Sequence, residues 1–253
     1  MSIKQQDRFV VDVGNTSIAC AAIESGDVTA PSRTDTSSIV SIEDVSSLFE
    51  NLRQRSGVDS EKIVVCAGVE RIRSLIEQYR EMNSKKVDFV SGRNLCGAKV
   101  SYETIETLGP DRIANTLAAS NLFSTPTLVV DCGTAITIDL VDADGVFVGG
   151  MIAPGLETSK NALVHFAPSL PEVDISVATN IVATNTISCI QSGIVNGAAA
   201  MIDGVANKLS KINTDLVVVI TGGHSSILFP LLEHKAIHDE WLTLKGLGFA
   251  KTA

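Results

Sequence analysis

The chain has 253 residues, with 20 lysines and arginines against 29 aspartates and glutamates, a formal net charge of −9. No basic block occurs beyond Lys85-Lys86, so nucleic acid is excluded as a partner on charge, and no apolar run approaches the ~18 residues of a membrane span. Its five cysteines are scattered, odd in number and never in a C-x-x-C pair, which speaks against a disulfide framework and a thiolate zinc site and for a reducing, cytoplasmic setting; the start MSIKQQDRF likewise lacks the apolar core of a signal peptide.

In chain order, the pattern predicts a strand at Phe9–Val13 and a second at Ile18–Ile23. A Ser/Thr/Pro-rich connection at Thr29–Ser38 follows, then a helix near Ile42–Gln54 opened by Ser41, with Asp44 three residues on. A buried strand at Lys62–Cys66, a helix at Glu70–Met82 and a strand at Lys86–Val90 complete an α/β lobe. Between Ser91 and Leu108 only Lys99–Tyr102 has strand character. A helix is predicted at Asp111–Phe123, closed by Ser124-Thr125-Pro126, and next a hairpin around Asp131 whose second strand is Ile136–Val141. A short strand at Val146–Val148 leads into Met151–Gly155. Apolar residues at Ile187, Ile190, Ile194, Ala198, Met201, Val205 and Leu209 repeat with helical spacing over Asn185–Leu209. A strand at Leu216–Ile220 and helices near Ser226–Leu232 and Trp241–Leu244 close the chain.

One motif stands out because it occurs twice: VVDVGNTSIA (Val10–Ala19) and VVDCGTAITI (Val129–Ile138). Each copy delivers an aspartate to the end of a β-branched strand, follows it with a glycine that permits close backbone approach, and supplies threonines before a second strand begins. Strand, turn, strand is a hairpin plan, unlike the strand-to-helix plan of a P-loop; neither G-x-x-x-x-G-K-[ST] nor G-x-G-x-x-G is present. A single copy reads equally well as an Asx turn, whereas the repetition points to two phosphate sites, on two lobes that face one another across a cleft. An acidic chain that binds phosphate must bring positive charge locally, and a divalent cation is the expected means. Leu108-Gly109-Pro110-Asp111-Arg112 precedes an apolar helix. Asp111 is either an acidic first-turn residue that complements the helix dipole or a general base, with Arg112 beside it for an anionic substrate group. Thr221-Gly222-Gly223-His224 follows a buried strand, where the two glycines either make a simple tight turn or let an adenine or ribose lie against the backbone. The four histidines form no metal-ligand pattern.

Taken in order, Asp12-x-Gly-Asn-Thr, Gly109-x-Asp-Arg, Asp131-x-Gly-Thr-Ala, Gly149-Gly150-x-Ile-x-Pro-Gly155, Asn185-Thr186 and Thr221-Gly-Gly resemble type III pantothenate kinase, over Val10 to Leu247. That family belongs to the acetate kinase, sugar kinase, Hsp70 and actin superfamily. The resemblance implies an α/β fold of two ribonuclease H-like lobes of the actin-like ATPase type with an interlobe cleft. The N-terminal lobe would span residues 1–110 and the C-terminal lobe 111–253, the last helix packing back on the first lobe. It implies ATP-dependent phosphorylation of pantothenate, the first step of coenzyme A synthesis, by a homodimer. Asp12, Val13, Gly14, Asn15, Thr16, Ser17, Ile18 and Ala19 would then line the ATP phosphates, with Asp12 holding Mg²⁺ through water. Thr134 would make the second phosphate contact, and Gly222 and Gly223 would touch the nucleotide. Asp111 would accept the proton, while Tyr102, Gly109, Pro110, Asp111, Arg112 and Thr186 would bind pantothenate. Asp131 would hold K⁺ or NH₄⁺.

The chain departs from the family pattern in three places. YETIETLG (Tyr102–Gly109) lacks the proline usual after the tyrosine, Ala183-Thr184 stand where glycine and a basic residue are common, and Cys66-Ala67-Gly68-Val69 replace a Ser-Val-Val-Pro-like strand end. Two rival readings keep the fold: another small-molecule kinase of the superfamily, against which Gly109-x-Asp-Arg argues, and a non-catalytic regulatory homologue, against which the intact Asp12, Asp111 and Asp131 argue.

Overall fold

The computed structural model describes residues 7–123, 126–175, 180–213 and 215–252. The chain divides into two compact units, Met1–Leu122 with Trp241–Ala253, and Phe123–Glu240.

In the first unit β1 (Arg8–Val13), β2 (Ser17–Glu24) and β3 (Asp27–Asp35) form an antiparallel meander. Next come α1 (Ile42–Ser56), β4 (Lys62–Ala67), α2 (Glu70–Asn83), β5 (Lys86–Val90), the short β6 (Lys99–Val100) and α3 (Pro110–Leu122). The sheet runs β3-β2-β1-β4-β5, with β4 parallel to β1 and β5 parallel to β4. Alternate residues of the central strands face opposite ways. Phe9, Val11, Val13, Ile63 and Val65 point into a core with Val45, Phe49 and Leu52 of α1 and Ile72 and Ile76 of α2. Val10, Asp12, Val64 and Cys66 occupy the other face, and β1 is a nearly continuous apolar run because both faces are covered.

In the second unit β7 (Thr127–Cys132), β8 (Ala135–Val141) and β9 (Val146–Pro154) form another antiparallel meander, followed by α4 (Leu156–Phe166) and the long α5 (Thr186–Ser210). Then come β10 (Val217–Thr221), parallel to β7, α6 (Ser225–Leu228) and β11 (Ile237–His238), parallel to β10. These strands lie in the order β11-β10-β7-β8-β9. Leu128, Val130, Ile136 and Ile138 pack against Ile194, Val195, Ala199, Ile202 and Ala206 of α5. The alternate residues Asp131, Thr137 and Asp139 therefore sit on the sheet face turned away from that helix. The closing helix α7 (Leu242–Gly248) belongs to the first unit, where it packs on α3 and on β1, β2 and β4.

Five expectations are corrected. Thr29–Ser38 is no loop, since most of it forms β3. The strand expected at Lys99–Tyr102 shrinks to Lys99–Val100 and leaves Tyr102 outside it. The short strand and the segment after it are one strand, β9. α4 forms where the pattern assigns no element. The helix expected at Ser226–Leu232 is the single turn of α6 followed by a 3₁₀ turn at Phe229–Leu231. Ser124 and Thr125, the expected helix stop, lie outside the described residues.

Candidate active site

Asp12, the penultimate residue of β1, lies on the face opposite the α1/α2 core, next to a turn held from three sides. Gly14 N donates to Ser17 O at 3.0 Å, Thr36 donates both its Oγ1 to Gly14 O (2.7 Å) and its N to Thr16 O (3.0 Å), and Gly68 N donates to Val13 O at 2.9 Å. The braced turn exposes Asn15 and Thr16, with Gly14 and Ser17 half-buried, while Val13, Ile18 and Ala19 are buried in the flanking strands. The Cys66 thiol, directly opposite Asp12 on β4, donates to Asp12 Oδ1 at 3.1 Å. Burial, aided by the negative charge of Asp111, pushes Asp12 up to about 6, against the thiol hydrogen bond and the positive charge of Arg33. Asp12 and Asp111, remote in sequence, are thus electrostatic neighbours within the first unit.

Asp111 owes its position to the start of α3. Pro110 takes the first helical position, where its missing N–H costs nothing, and Gly109 O accepts the first helical bond from Ile113 N at 3.2 Å. Asp111 lies half-buried in the first turn of the helix, and its Oδ1 accepts from Arg112 N at 2.9 Å. Arg112 is only 5% exposed, yet its guanidinium carbon lies 6.0 Å from the centre of the Tyr102 ring, itself 36% exposed. The first unit therefore brings Tyr102, Gly109, Pro110, Asp111 and Arg112 together around one partly open edge.

In the second unit the repeated turn is tighter. Gly133 N donates to Ala135 O, and Thr134 O accepts both Gly155 N at 3.0 Å and Thr158 Oγ1 at 2.6 Å, which leaves the Thr134 side chain exposed. Gly155 approaches so closely that a Cβ there would fall 2.2 Å from Gly133 O. Asp131 lies opposite Thr137 on β8 and Thr221 on β10, so three oxygen-bearing side chains share one sheet face. Gly222, at φ 92°, comes against them: a Cβ there would meet Asp131 Oδ1 at 2.5 Å. Gly223 is exposed beside it, and His224 N donates to Cys132 O at 2.9 Å, fixing the glycine turn against β7. Thr186, exposed, is the first residue of α5, after Asn185, whose side chain caps the helix by accepting from Ser188 N at 3.0 Å.

With both sites described, the sequence can be set against known proteins. The profile of the type III pantothenate kinase family matches residues 8–208. The chain belongs to that family. A type III pantothenate kinase of Sulfurihydrogenibium sp. (strain YO3AOP1) is 32% identical over 246 residues, covering 95% of this chain and 98% of the relative. One from Agathobacter rectalis is also 32% identical, covering 95% of each. Among solved structures, component A of the (R)-2-hydroxyglutaryl-CoA dehydratase of Acidaminococcus fermentans superposes with a TM-score of 0.60 at 15% identity, over 97% of this chain and 96% of that one. A ROK hexokinase of Thermus thermophilus gives 0.54 at 15% identity, over 98% of each. At such identities the likeness concerns the fold alone, which is that of the actin-like ATPases and kinases.

The donors present suit the cations such a kinase uses. Among the described residues no group of three or more His, Cys, Asp and Glu side chains is placed to hold a metal ion, so a closed nitrogen or sulfur cage is not what the chain offers. It offers oxygen: carboxylates at Asp12 and Asp111 in one unit, and Asp131 with hydroxyls in the other. Thr137 Oγ1 is buried without a hydrogen-bond partner, and an orphaned oxygen beside a carboxylate fits a hard cation. Two features escaped the motif analysis: the Thr36 brace and the thiol hydrogen bond of Cys66. Both depend on strand register, which no local pattern encodes.

Proposed function

We propose that this chain transfers the γ-phosphoryl group of ATP to the primary hydroxyl of pantothenate, the first step of coenzyme A synthesis, with Asp111 as general base. The observation that carries this reading is Asp111 itself: a carboxylate in the first turn of α3, beside Arg112 and Tyr102 and within the electrostatic reach of Asp12. Asp111 accepts the proton of the attacking hydroxyl. Arg112 and Tyr102 orient pantothenate through its carboxylate and chain, with Thr186 as a further contact. The Asp12–Ala19 turn presents backbone amides to the phosphates, as does the turn around Thr134, and Gly222 and Gly223 border the nucleotide. Asp12 would hold Mg²⁺ through water, and Asp131, with Thr137 beside it, would hold K⁺ or NH₄⁺. Bound there, the cations neutralise the phosphate oxygens, which is most of what phosphoryl transfer requires beyond positioning.

The working form is a homodimer. Phe166 at the end of α4 and Ile181 and Val182 before α5 are 83, 80 and 83% exposed. Apolar surface of that kind, close in sequence to Thr186, supports a second copy packing there.

The test is ADP release with and without pantothenate, in K⁺ and then in Na⁺, followed by Asp111→Asn. Release should depend on pantothenate and on K⁺ or NH₄⁺, and the variant should lose about 10² to 10⁴ in kcat, the usual share of a general base. Hydrolysis that ignores pantothenate, or an unimpaired variant, overturns the assignment.

A further inference from the structure

The turn from Asp12 to Ser17 contains no lysine or arginine, yet the strand register brings a cation alongside it. Ala19 lies opposite Asp12 on β1 and opposite Arg33 on β3. Directly paired residues project from the same face, so Arg33, Ala19 and Asp12 form a row across the sheet, continued on β4 by Cys66. With strands about 4.8 Å apart, the backbones of Arg33 and Asp12 are separated by about 10 Å. The residue between them carries only a methyl group, which leaves the path over β2 open to a long side chain. The charge of Arg33 acts on Asp12, lowering its pKa.

Arg33 is exposed and forms no ion pair among the described residues. Its guanidinium carbon lies 5.2 Å from the centre of the Trp241 ring, just before α7. Stacking holds the plane of a guanidinium and leaves the N–H groups at its edge available, the geometry that matches phosphate oxygens two at a time. An arginine held only for packing would be as well placed against a carboxylate. This one is oriented by an aromatic ring at the end of the row that carries Asp12.

We propose that Arg33, braced on Trp241, is a phosphate-binding residue of this kinase, its guanidinium contacting a phosphate oxygen of the ATP bound at the Asp12–Ser17 turn. The proposal rests on that turn taking the ATP phosphates. It adds a side-chain cation to a site otherwise built from backbone amides, and it makes β3 and the residue before α7 part of the nucleotide site.

Trp241 is the only tryptophan, so its fluorescence reports on the site directly. ATP, ADP and adenosine, each with Mg²⁺, are titrated into the full-length wild type, Arg33→Gln and Arg33→Lys, with calorimetric titration as the second measure. Arg33→Gln should weaken ATP and ADP by about 10- to 100-fold, the loss expected for a charged hydrogen-bonding pair. Adenosine affinity and the unfolding midpoint should be unchanged, and Arg33→Lys should recover part of the loss. Undiminished ATP and ADP binding by Arg33→Gln overturns the proposal, as does an equal loss for adenosine. Those results leave the kinase reading standing, because Asp111→Asn tests it separately. Failure of the wild type to bind ATP would sink both.

Discussion

Asp12 shows how one side chain is shaped by neighbours that its own motif does not contain. Its carboxylate is half-buried and feels the charge of another acid, conditions that favour protonation, while the Cys66 thiol donates to Oδ1. The thiol fixes one carboxylate oxygen and would leave the other to the water shell of the Mg²⁺ proposed above. A serine, which resemblance leads one to expect near this strand end, would supply the same donor from a smaller atom. Cys66→Ala should therefore raise the Mg²⁺ concentration for half-maximal activity by about 3- to 10-fold, the value of one hydrogen bond to a charged group, whereas Cys66→Ser should stay near wild type. Equal Mg²⁺ dependence in all three proteins would show that the thiol merely fills space. Asp12, Gly14 and Asp111 were legible in the sequence as motif residues; the Cys66 contact was not, because it joins strands separated by a whole connection.

Among the elements, those with a strong local signature were legible and those shaped by their surroundings were not. Ser41 and Asp44 announce α1, and the structure gives both halves of the capping box: Ser41 Oγ accepts Asp44 N at 3.2 Å, and Asp44 Oδ2 accepts Ser41 N at 2.9 Å. The bond from Val40 N, with those that Ser41 Oγ and Ser41 N donate to the same Oδ2, holds the Asp44 carboxyl below its usual range. Ser41→Ala should destabilise the protein by about 1 kcal/mol, the ordinary value of an N-cap, read as a lower denaturant midpoint at unchanged slope; no shift would mean that the core alone holds the helix end. By its Ser, Thr and Pro content, β3 has the local signature of a connection. It is the edge strand of its sheet, and Pro31 falls in a register shift between Ser32 and Thr29, next to Ala30 at φ 47°, so it disturbs no inner ladder. α4 gave no apolar stripe because only Leu156 of its residues is buried. Leu163 packs partly buried against the core, whereas Ala162, Val164 and Phe166 face outward, on the surface where a second copy is proposed to pack.

For the molecule as a whole, Asp12 sets a stability cost that pH reveals. An unfolded aspartate titrates near 3.9, whereas Asp12 in the folded, ligand-free protein titrates at about 6, chiefly through burial. Between those values the folded chain binds more protons than the unfolded one, so the contribution of Asp12 to stability falls as pH rises from about 4 to 6 and stays reduced above. The lowered Asp44 works in the opposite sense, losing its contribution as the solution becomes acidic, so the total profile mixes both and a difference measurement isolates Asp12. Asp12→Asn keeps an oxygen for the Cys66 thiol and removes the ionisation. In Mg²⁺-free buffer its unfolding midpoint should match the wild type only below about pH 4, rise above it through pH 6 and hold that lead at pH 8. Mg²⁺-ATP should then reverse the order at pH 8, because ligand that binds only the folded wild type stabilises it by mass action, while the variant lacks the carboxylate for the cation. A midpoint difference that is flat with pH would mean that Asp12 ionises without penalty, and an Asp12→Asn protein stabilised by Mg²⁺-ATP as fully as the wild type would remove Asp12 from the cation site.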